Sequence, residues 1–288
     1  MEKKVDLHTH SIFSDGSKTP AELLKEAKDN NIGILALTDH DNIDGSKKIV
    51  SIKDPDIYVY SGVELTVKAP TGRLHLLGYN IDLENPELNK KLKELSKASI
   101  YNMLLYIELL KKDFNIIIPQ NKIDWLLNQT GNIGRPQLAL ILIELGYASN
   151  VDEAFDIYLT PVYNKSRNLK KGLYIDEAIP LITNAGGVAS LAHPSSLKLN
   201  KTELKKELLK MKSLGLQCIE AIHTKETPEN RAYYLQMAKE LDLMISGGTD
   251  YHGKDIKPTV ELGSGKNNNV SIYTKDLSLV KNIKSRYM

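Results

Sequence analysis

Over the first eighty residues, short apolar runs alternate with amphipathic stretches. "VDL" (5–7) reads as a brief strand. "TPAELLKEAKDNN" (19–31) has helical spacing, with Thr19 as the N-cap, Pro20 at the first helical position and Glu22 three residues after the cap, the pattern of a capping box. "IGILALT" (32–38) is apolar on both faces, and "IYVYSGVEL" (57–65) and "LHLLGYNI" (74–81) are further strands. Continuous apolar strands separated by a helix predict parallel βαβ units. From 85 to 171 the pattern turns helical: a long amphipathic segment or helix pair at 86–113, shorter helices at 135–146 and 151–159, and a polar, basic return, "NKSRNLKKG" (164–172). The alternation then resumes. Helix 175–186 precedes strand "GVASLAHP", helix 201–215 precedes "LQCIEAIH", and helix 228–241 precedes "LMISGGTDYH", with a last strand expected at "VSIYT" (270–274) and a last helix at 277–286. Seven or eight strands predict an α/β fold closed into a (β/α) barrel of 1–84 and 172–288, with 85–171 inserted as a helical cap over its active face.

Composition narrows the picture. The 288 residues are 41% hydrophobic and 26% charged, a globular balance, and the net charge of +2 predicts no general affinity for nucleic acid. A single cysteine, Cys218, excludes an internal disulfide and suits a reducing cytoplasm, and its apolar strand context makes it a core residue rather than a nucleophile. The first ten residues, "MEKKVDLHTH", lack the apolar stretch of a signal peptide, and no run approaches a membrane span.

The chemistry lies in the histidines. There are seven: His8, His10, His40, His75, His193, His223 and His252. All but His75, which a distorted or reversed strand would still aim at the site, follow the C-terminal end of an apolar run, as do Asp39, Glu64 and Asp250. In a (β/α) barrel those ends share one face, which builds the active site. One strand-end histidine is ordinarily a hydrogen-bonded structural residue; six on one rim are not explained that way. Imidazole and carboxylate donors without thiolates suit Mn, Fe or Zn and exclude a structural cysteine zinc site. His8 and His10, at i and i+2, share a strand face and can hold one ion together. Nine donors are too many for one tetrahedral ion and match two or three.

The motifs "DLHTHSIFSDG", "ALTDHD", "GVEL", "HLLGY", "GRPQ", "LAHP" and "GTDYH" resemble, in order and spacing, the PHP (polymerase and histidinol phosphatase) family, and most closely its branch of 3′,5′-nucleotide bisphosphate phosphatases and 5′-3′ exoribonucleases. The resemblance implies a distorted (β/α)7 barrel with three divalent ions. One would be held by His8, His10, Glu64 and Asp250; a second by Glu64, His75 and His193; a third by Asp15, His40 and His252. Asp39 would support a ligand imidazole from behind. One departure stands out: the branch usually reads Gly-Arg-Pro-His where this chain has Gln137, which keeps hydrogen bonding but carries no proton.

Such ions lower the pKa of bound water and neutralise phosphoryl oxygens, so a metal-bridging hydroxide would attack phosphorus with no side-chain nucleophile. Arg135, at a helix start, and Arg167, where the insertion returns, are the expected phosphate contacts. Lys165, Lys170 and Lys171 read as a solvated charge run. His223 is a candidate general acid or phosphate donor. Glu220 falls on the face of Ile222 in a regular strand and is excluded from the site. A small phosphorylated nucleotide such as pAp is the favoured substrate, ahead of a short oligonucleotide trimmed from its 5′ end, histidinol phosphate, and a non-catalytic metal-binding or proofreading role. No membrane and no obligate protein partner is expected.

Overall fold

The computed structural model describes residues 2–69, 71–129 and 132–287. Its centre is a seven-stranded sheet in sequence order. β1 (Lys4–Thr9), β2 (Ile32–Leu37) and β3 (Tyr58–Val67) are parallel, with α1 (Pro20–Asp29) and α2 (Asp44–Ser51) as crossovers. The capping box of α1 is present: the Thr19 hydroxyl accepts from the Glu22 N–H, and Glu22 accepts from the Thr19 N–H.

β4 (Leu74–Tyr79) departs from the expected parallel order and runs antiparallel to both neighbours. The reason is length. Residues 68–73 alone join β3 to β4, far short of the dozen or more that a parallel crossover needs. β5 (Val188–Leu191), β6 (Cys218–His223) and β7 (Met244–Gly248) return to the parallel direction. The sheet curls until Tyr251, just past β7, exchanges hydrogen bonds with β1: His10 N–H donates to Tyr251 O and Tyr251 N–H to His8 O. Gly248 permits this approach, since a Cβ there would lie 2.5 Å from the Cβ and N of His8. The result is a nearly closed, distorted seven-stranded barrel wrapped by helices.

Between β4 and β5 lie α3 (Pro86–Phe114), α4 (Gln120–Leu127), α5 (Arg135–Glu144), α6 (Val151–Ala154), a π-turn (Phe155–Leu159), α7 (Thr160–Ser166) and α8 (Ile175–Asn184). The segment 86–113 is one unbroken helix, so the helix-pair alternative does not hold. α3 acts as a beam: Leu88, Leu92 and Leu95 join the barrel core, whereas Met103, Tyr106, Leu109 and Leu110 join a separate core confined to 103–162. α9 (Lys201–Ser213) and α10 (Pro228–Glu240) complete the crossovers.

The chain end differs from expectation. "VSIYT" forms no strand; Val270 and Ile272 are buried, and Val5 N–H donates to Ile272 O, so the segment packs along β1 with one bridge at Tyr273. The small strands found there are β8 (Val260–Glu261) and β9 (Gly265–Lys266), and the last helix, α11, is only Ser278–Asn282.

Candidate metal centre

All seven histidines meet at one rim of the barrel. Ring centroids are 5.2 Å apart for His8–His10, 4.7 Å for His10–His40, 4.1 Å for His10–His252, 4.9 Å for His40–His75, 5.1 Å for His75–His193 and 5.5 Å for His193–His223. His75 reaches the rim because β4 is reversed, so the start of that strand lies where the others end.

Glu64, fully buried on β3, is the hub. Its Oε1 lies 2.9 Å from His75 Nδ1 and 3.0 Å from His193 Nε2; its Oε2 lies 3.1 Å from His8 Nε2, 3.2 Å from His10 Nε2 and 3.3 Å from His40 Nδ1. Asp250 Oδ1 is 3.3 Å from His10 Nε2 and 3.6 Å from His8 Nε2. Asp15 Oδ1 is 3.3 Å from His252 Nε2 and 3.6 Å from His10 Nδ1. The sets His8–His10–Glu64–Asp250, His10–Asp15–His40–His252 and His40–Glu64–His75 each converge their donor atoms within 4.8 Å.

These residues fit divalent cations by a direct observation. His8 Nε2, His10 Nε2, His40 Nδ1, His193 Nδ1, Glu64 Oε2 and Asp15 Oδ1 are buried without a hydrogen-bond partner among the described residues. Buried polar atoms are normally satisfied, and clustered orphans on ligand-type atoms mark an ion site. Opposite ring nitrogens are engaged so as to orient the free ones. His8 Nδ1 is 2.9 Å from Glu220 Oε1, and His252 Nδ1 is 2.8 Å from the Asp250 carbonyl, so each ring donates there and turns its Nε2 inward.

Electrostatics agree. Burial works against ionising Asp15, Glu64 and Asp250, but facing imidazoles, and lysines at Asp250, hold all three carboxyls well below their usual range. Burial pushes His40 and His193 down to about 3 and His252 to about 4, leaving neutral ligand imidazoles. His10 goes the other way. Burial depresses it, but Asp250, Glu64 and Asp15 outweigh that and raise it to about 9, so a cation must displace a proton there.

Other expected site residues fall as follows. Asp39 does not back an imidazole; its oxygens accept from Ser11 N–H, Ser11 Oγ and Ser14 Oγ, each at 2.7 Å, and so shape the loop that carries Asp15. His223 Nδ1 accepts the Lys225 N–H at 3.0 Å, which places the proton on Nε2, a buried donor 3.7 Å from Asp250 Oδ2. Arg135 stacks on Tyr163 at 4.1 Å and has no hydrogen-bond or carboxylate partner among the described residues. Arg167 is more committed to structure, donating to Ala69 O, Gly72 O and Asn164 Oδ1. Gln137 does not line the cavity beside Arg135; it bonds Gly134 N–H and Ser14 O.

Four residues escaped the sequence reading. Glu220 faces the histidines because a bulge between Glu220 and Ile222 shifts the strand's alternation, overturning its exclusion. Lys225 and Lys257 sit 3.2 and 2.8 Å from Asp250 Oδ2. Lys170 is no solvated charge: it lies 3.5 Å over the Tyr163 ring, whereas Lys165 pairs with Asp113 at 2.6 Å.

The metal rim and the basic cluster line one cavity of about 2090 Å³, walled by the barrel on one side and by Tyr106, Arg135, Phe155 and Tyr163 of the insertion on the other. Fold and site together define a metal-dependent phosphoesterase. The PHP domain profile matches residues 6–221, and the chain belongs to that family. It is 31% identical over 254 residues to a 5′-3′ exoribonuclease of Haemophilus influenzae, covering 88% of this chain and 91% of that one. It is 27% identical over 265 residues to a 3′,5′-nucleoside bisphosphate phosphatase of Chromobacterium violaceum, covering 90% and 92%. A solved Bifidobacterium adolescentis protein described as a metal-dependent phosphoesterase superposes with a TM-score of 0.77 at 26% identity, covering 93% and 92%.

Proposed function

We propose that this phosphoesterase removes a phosphate from 3′,5′-bisphosphonucleotides such as pAp. In this reading, three divalent ions (Mn, Fe or Zn) are held by His8, His10, Glu64 and Asp250; by Glu64, His75 and His193; and by Asp15, His40 and His252. When bound, such ions activate water and neutralise charge on the phosphoryl oxygens. The chain's own groups do the rest. Arg135 and Arg167 bind phosphate, His223 offers its Nε2–H as a hydrogen bond to a phosphoryl or leaving oxygen, and Lys225 and Lys257 offset charge at Asp250.

The observation that carries the substrate reading is a basic cluster that forms no ion pair among the described residues and lines the same cavity as the imidazole rim. Arg135, Lys170 and Arg167 lie 4.1, 3.5 and 5.5 Å from the Tyr163 ring, and the repulsion of Arg135 and Arg167 helps to lower Lys170. Cations gathered in a partly buried wall are stabilised by an anion. The phosphatase from C. violaceum, with its two-phosphate substrate, supports the same assignment.

A second reading, 5′-to-3′ trimming of short RNA, is favoured by cavity size: about 2090 Å³ exceeds the roughly 300–1,000 Å³ of ordinary small-ligand pockets. The H. influenzae relative points the same way. Histidinol phosphate would leave most of that space unused, and the full donor set argues against a non-catalytic role. A cytoplasmic setting is supported by the free, buried Cys218.

The test is phosphate and nucleotide release by Mn²⁺-loaded protein from pAp, AMP, histidinol phosphate and a 5′-phosphorylated RNA oligomer. Preference for pAp over AMP is expected, with activity abolished by His10→Ala or Asp250→Ala. Equal rates on pAp and histidinol phosphate reject the reading.

A further inference from the structure

Two of the three donors of the third proposed cation site ride on loops that the insertion touches: Asp15 follows β1 and His40 follows β2, while His252 follows β7. The insertion stitches both loops in place. Asn132 donates its backbone N–H to Phe13 O at 3.2 Å, and its Nδ2 to the carbonyls of His40 at 3.0 Å and Asp41 at 2.6 Å. Gln137 donates Nε2 to Ser14 O at 2.7 Å while its Oε1 accepts the Gly134 N–H at 2.9 Å. Each carbonyl so held belongs to a donor residue or to one within two positions of it.

Arg135 lies between the two stitches, and no carboxylate among the described residues pairs with it. Its guanidinium lines the same cavity as Asp15 and His40. The insertion's seat on the barrel, the placement of Asp15 and His40, and the placement of Arg135 are thus one mechanical unit. Hydrogen-bonded supports of this kind set ligand orientation, and typically change metal affinity 10–100-fold when removed.

Building on the three-ion reading above, we infer that Asn132 and Gln137 are positioning residues that couple the insertion to the third cation site: phosphate on Arg135 and a divalent ion on Asp15, His40 and His252 strengthen each other's binding. Linkage makes such coupling reciprocal. An ion that fixes the loops seats Arg135 for phosphate, and phosphate drawn onto Arg135 fixes the loops for the ion. The arrangement also gives Gln137 a reason of its own, because an amide offers one acceptor and one donor to the two backbone partners it joins.

The experiment is Mn²⁺ binding to the full chain by equilibrium dialysis and elemental analysis, with and without inorganic phosphate. Wild-type protein is expected to bind three equivalents, with phosphate tightening the weakest about 5-fold or more. In Asn132→Ala/Gln137→Ala the weakest site is expected to lose about 10-fold or more in affinity while the other two are kept, and the phosphate effect disappears. Arg135→Ala, which touches neither stitch, keeps the third site but loses the phosphate effect. The inference is overturned if the double variant binds its third ion as wild type does, if all three sites weaken together, or if Arg135→Ala still responds to phosphate. Wild-type protein that binds only two equivalents overturns the three-ion reading and this coupling with it. Three equivalents, with variants that bind ions and respond to phosphate as wild type does, overturn the coupling alone.

Discussion

His8 Nδ1 lies 2.9 Å from Glu220 Oε1, both side chains fully buried, while the other oxygen of Glu220 accepts the backbone N–H of His193 at 2.7 Å. One carboxylate therefore fixes the ring of one candidate ligand and the backbone of another. His193 needs that anchor, since its φ of +26° is a conformation few side-chain-bearing residues adopt.

Replacing Glu220 by Gln keeps the shape but weakens its hold on the His8 ring. We expect metal affinity to fall about 10–100-fold. Glu220→Ala also strands the His193 N–H, adding a stability loss of about 1–3 kcal/mol. Metal content after dialysis and thermal unfolding of the metal-free protein separate the two effects. Unchanged metal affinity in Glu220→Gln rejects the orienting role.

The residues that the sequence conceals are concealed for identifiable reasons. Six histidines could be placed because each ends an apolar run, and strand ends of a barrel share a rim. Glu220 could not, because a one-residue bulge reverses which side chains face inward and leaves no compositional trace. Lys165 and Lys170 look alike in "NKSRNLKKG"; only the packing of α7 sends one to Asp113 and the other over Tyr163. The reversal of β4 was legible in the short 68–73 link, but continuous apolar runs suggested parallel strands instead.

Stability of the metal-free protein should fall on both sides of about pH 6.5. His8 and His10 are raised in the fold, His10 to about 9, so their contribution is full below the unfolded value near 6.5 and is lost as pH rises toward 9. His40, His193 and His252 are lowered to about 3, 3 and 4, so the fold keeps them neutral and loses stability as pH falls from about 6.5 toward those values. Saturating Mn²⁺ should raise stability by about 2.7 kcal/mol for each site held at a hundredfold excess over its Kd. Chemical denaturation across pH 4–9.5 in EDTA and in Mn²⁺ measures both. A flat metal-free profile contradicts the assigned protonation states.

Lys170 gives a pH signature for phosphate recognition. Burial, then Arg135, Arg167 and Lys68, push it down to about 7. An anion favours the charged amine, so binding above pH 7 must take up a proton. KM for pAp is expected to climb with pH above 7, by up to about tenfold per unit. Lys170→Met should raise KM at pH 6.5 and flatten that limb, with kcat little changed. Parallel profiles for variant and wild type would remove Lys170 from the substrate site.

Gly248 tests whether barrel closure positions the metal rim. A methyl group there would sit 2.5 Å from both the backbone N and Cβ of His8, atoms that cannot swing aside, and 2.9 Å from Asp6 Oδ1. Asp6 is itself fixed, accepting from Thr249 N–H, Thr249 Oγ1 and Gly263 N–H. β1 and β7 must therefore part where Tyr251 bonds His8 and His10. For Gly248→Ala the overpacking cost is about 1–3 kcal/mol, read as a lowered unfolding midpoint. The sharper expectation concerns function. His8 and His10 should shift relative to Glu64 and Asp250, which lie on β3 and beyond β7, so the ion they share should weaken more than the one on Asp15, His40 and His252. Cobalt substitution followed by visible absorption distinguishes the sites. A variant that is destabilised but binds every ion as wild type does would show that the rim tolerates an opened seam.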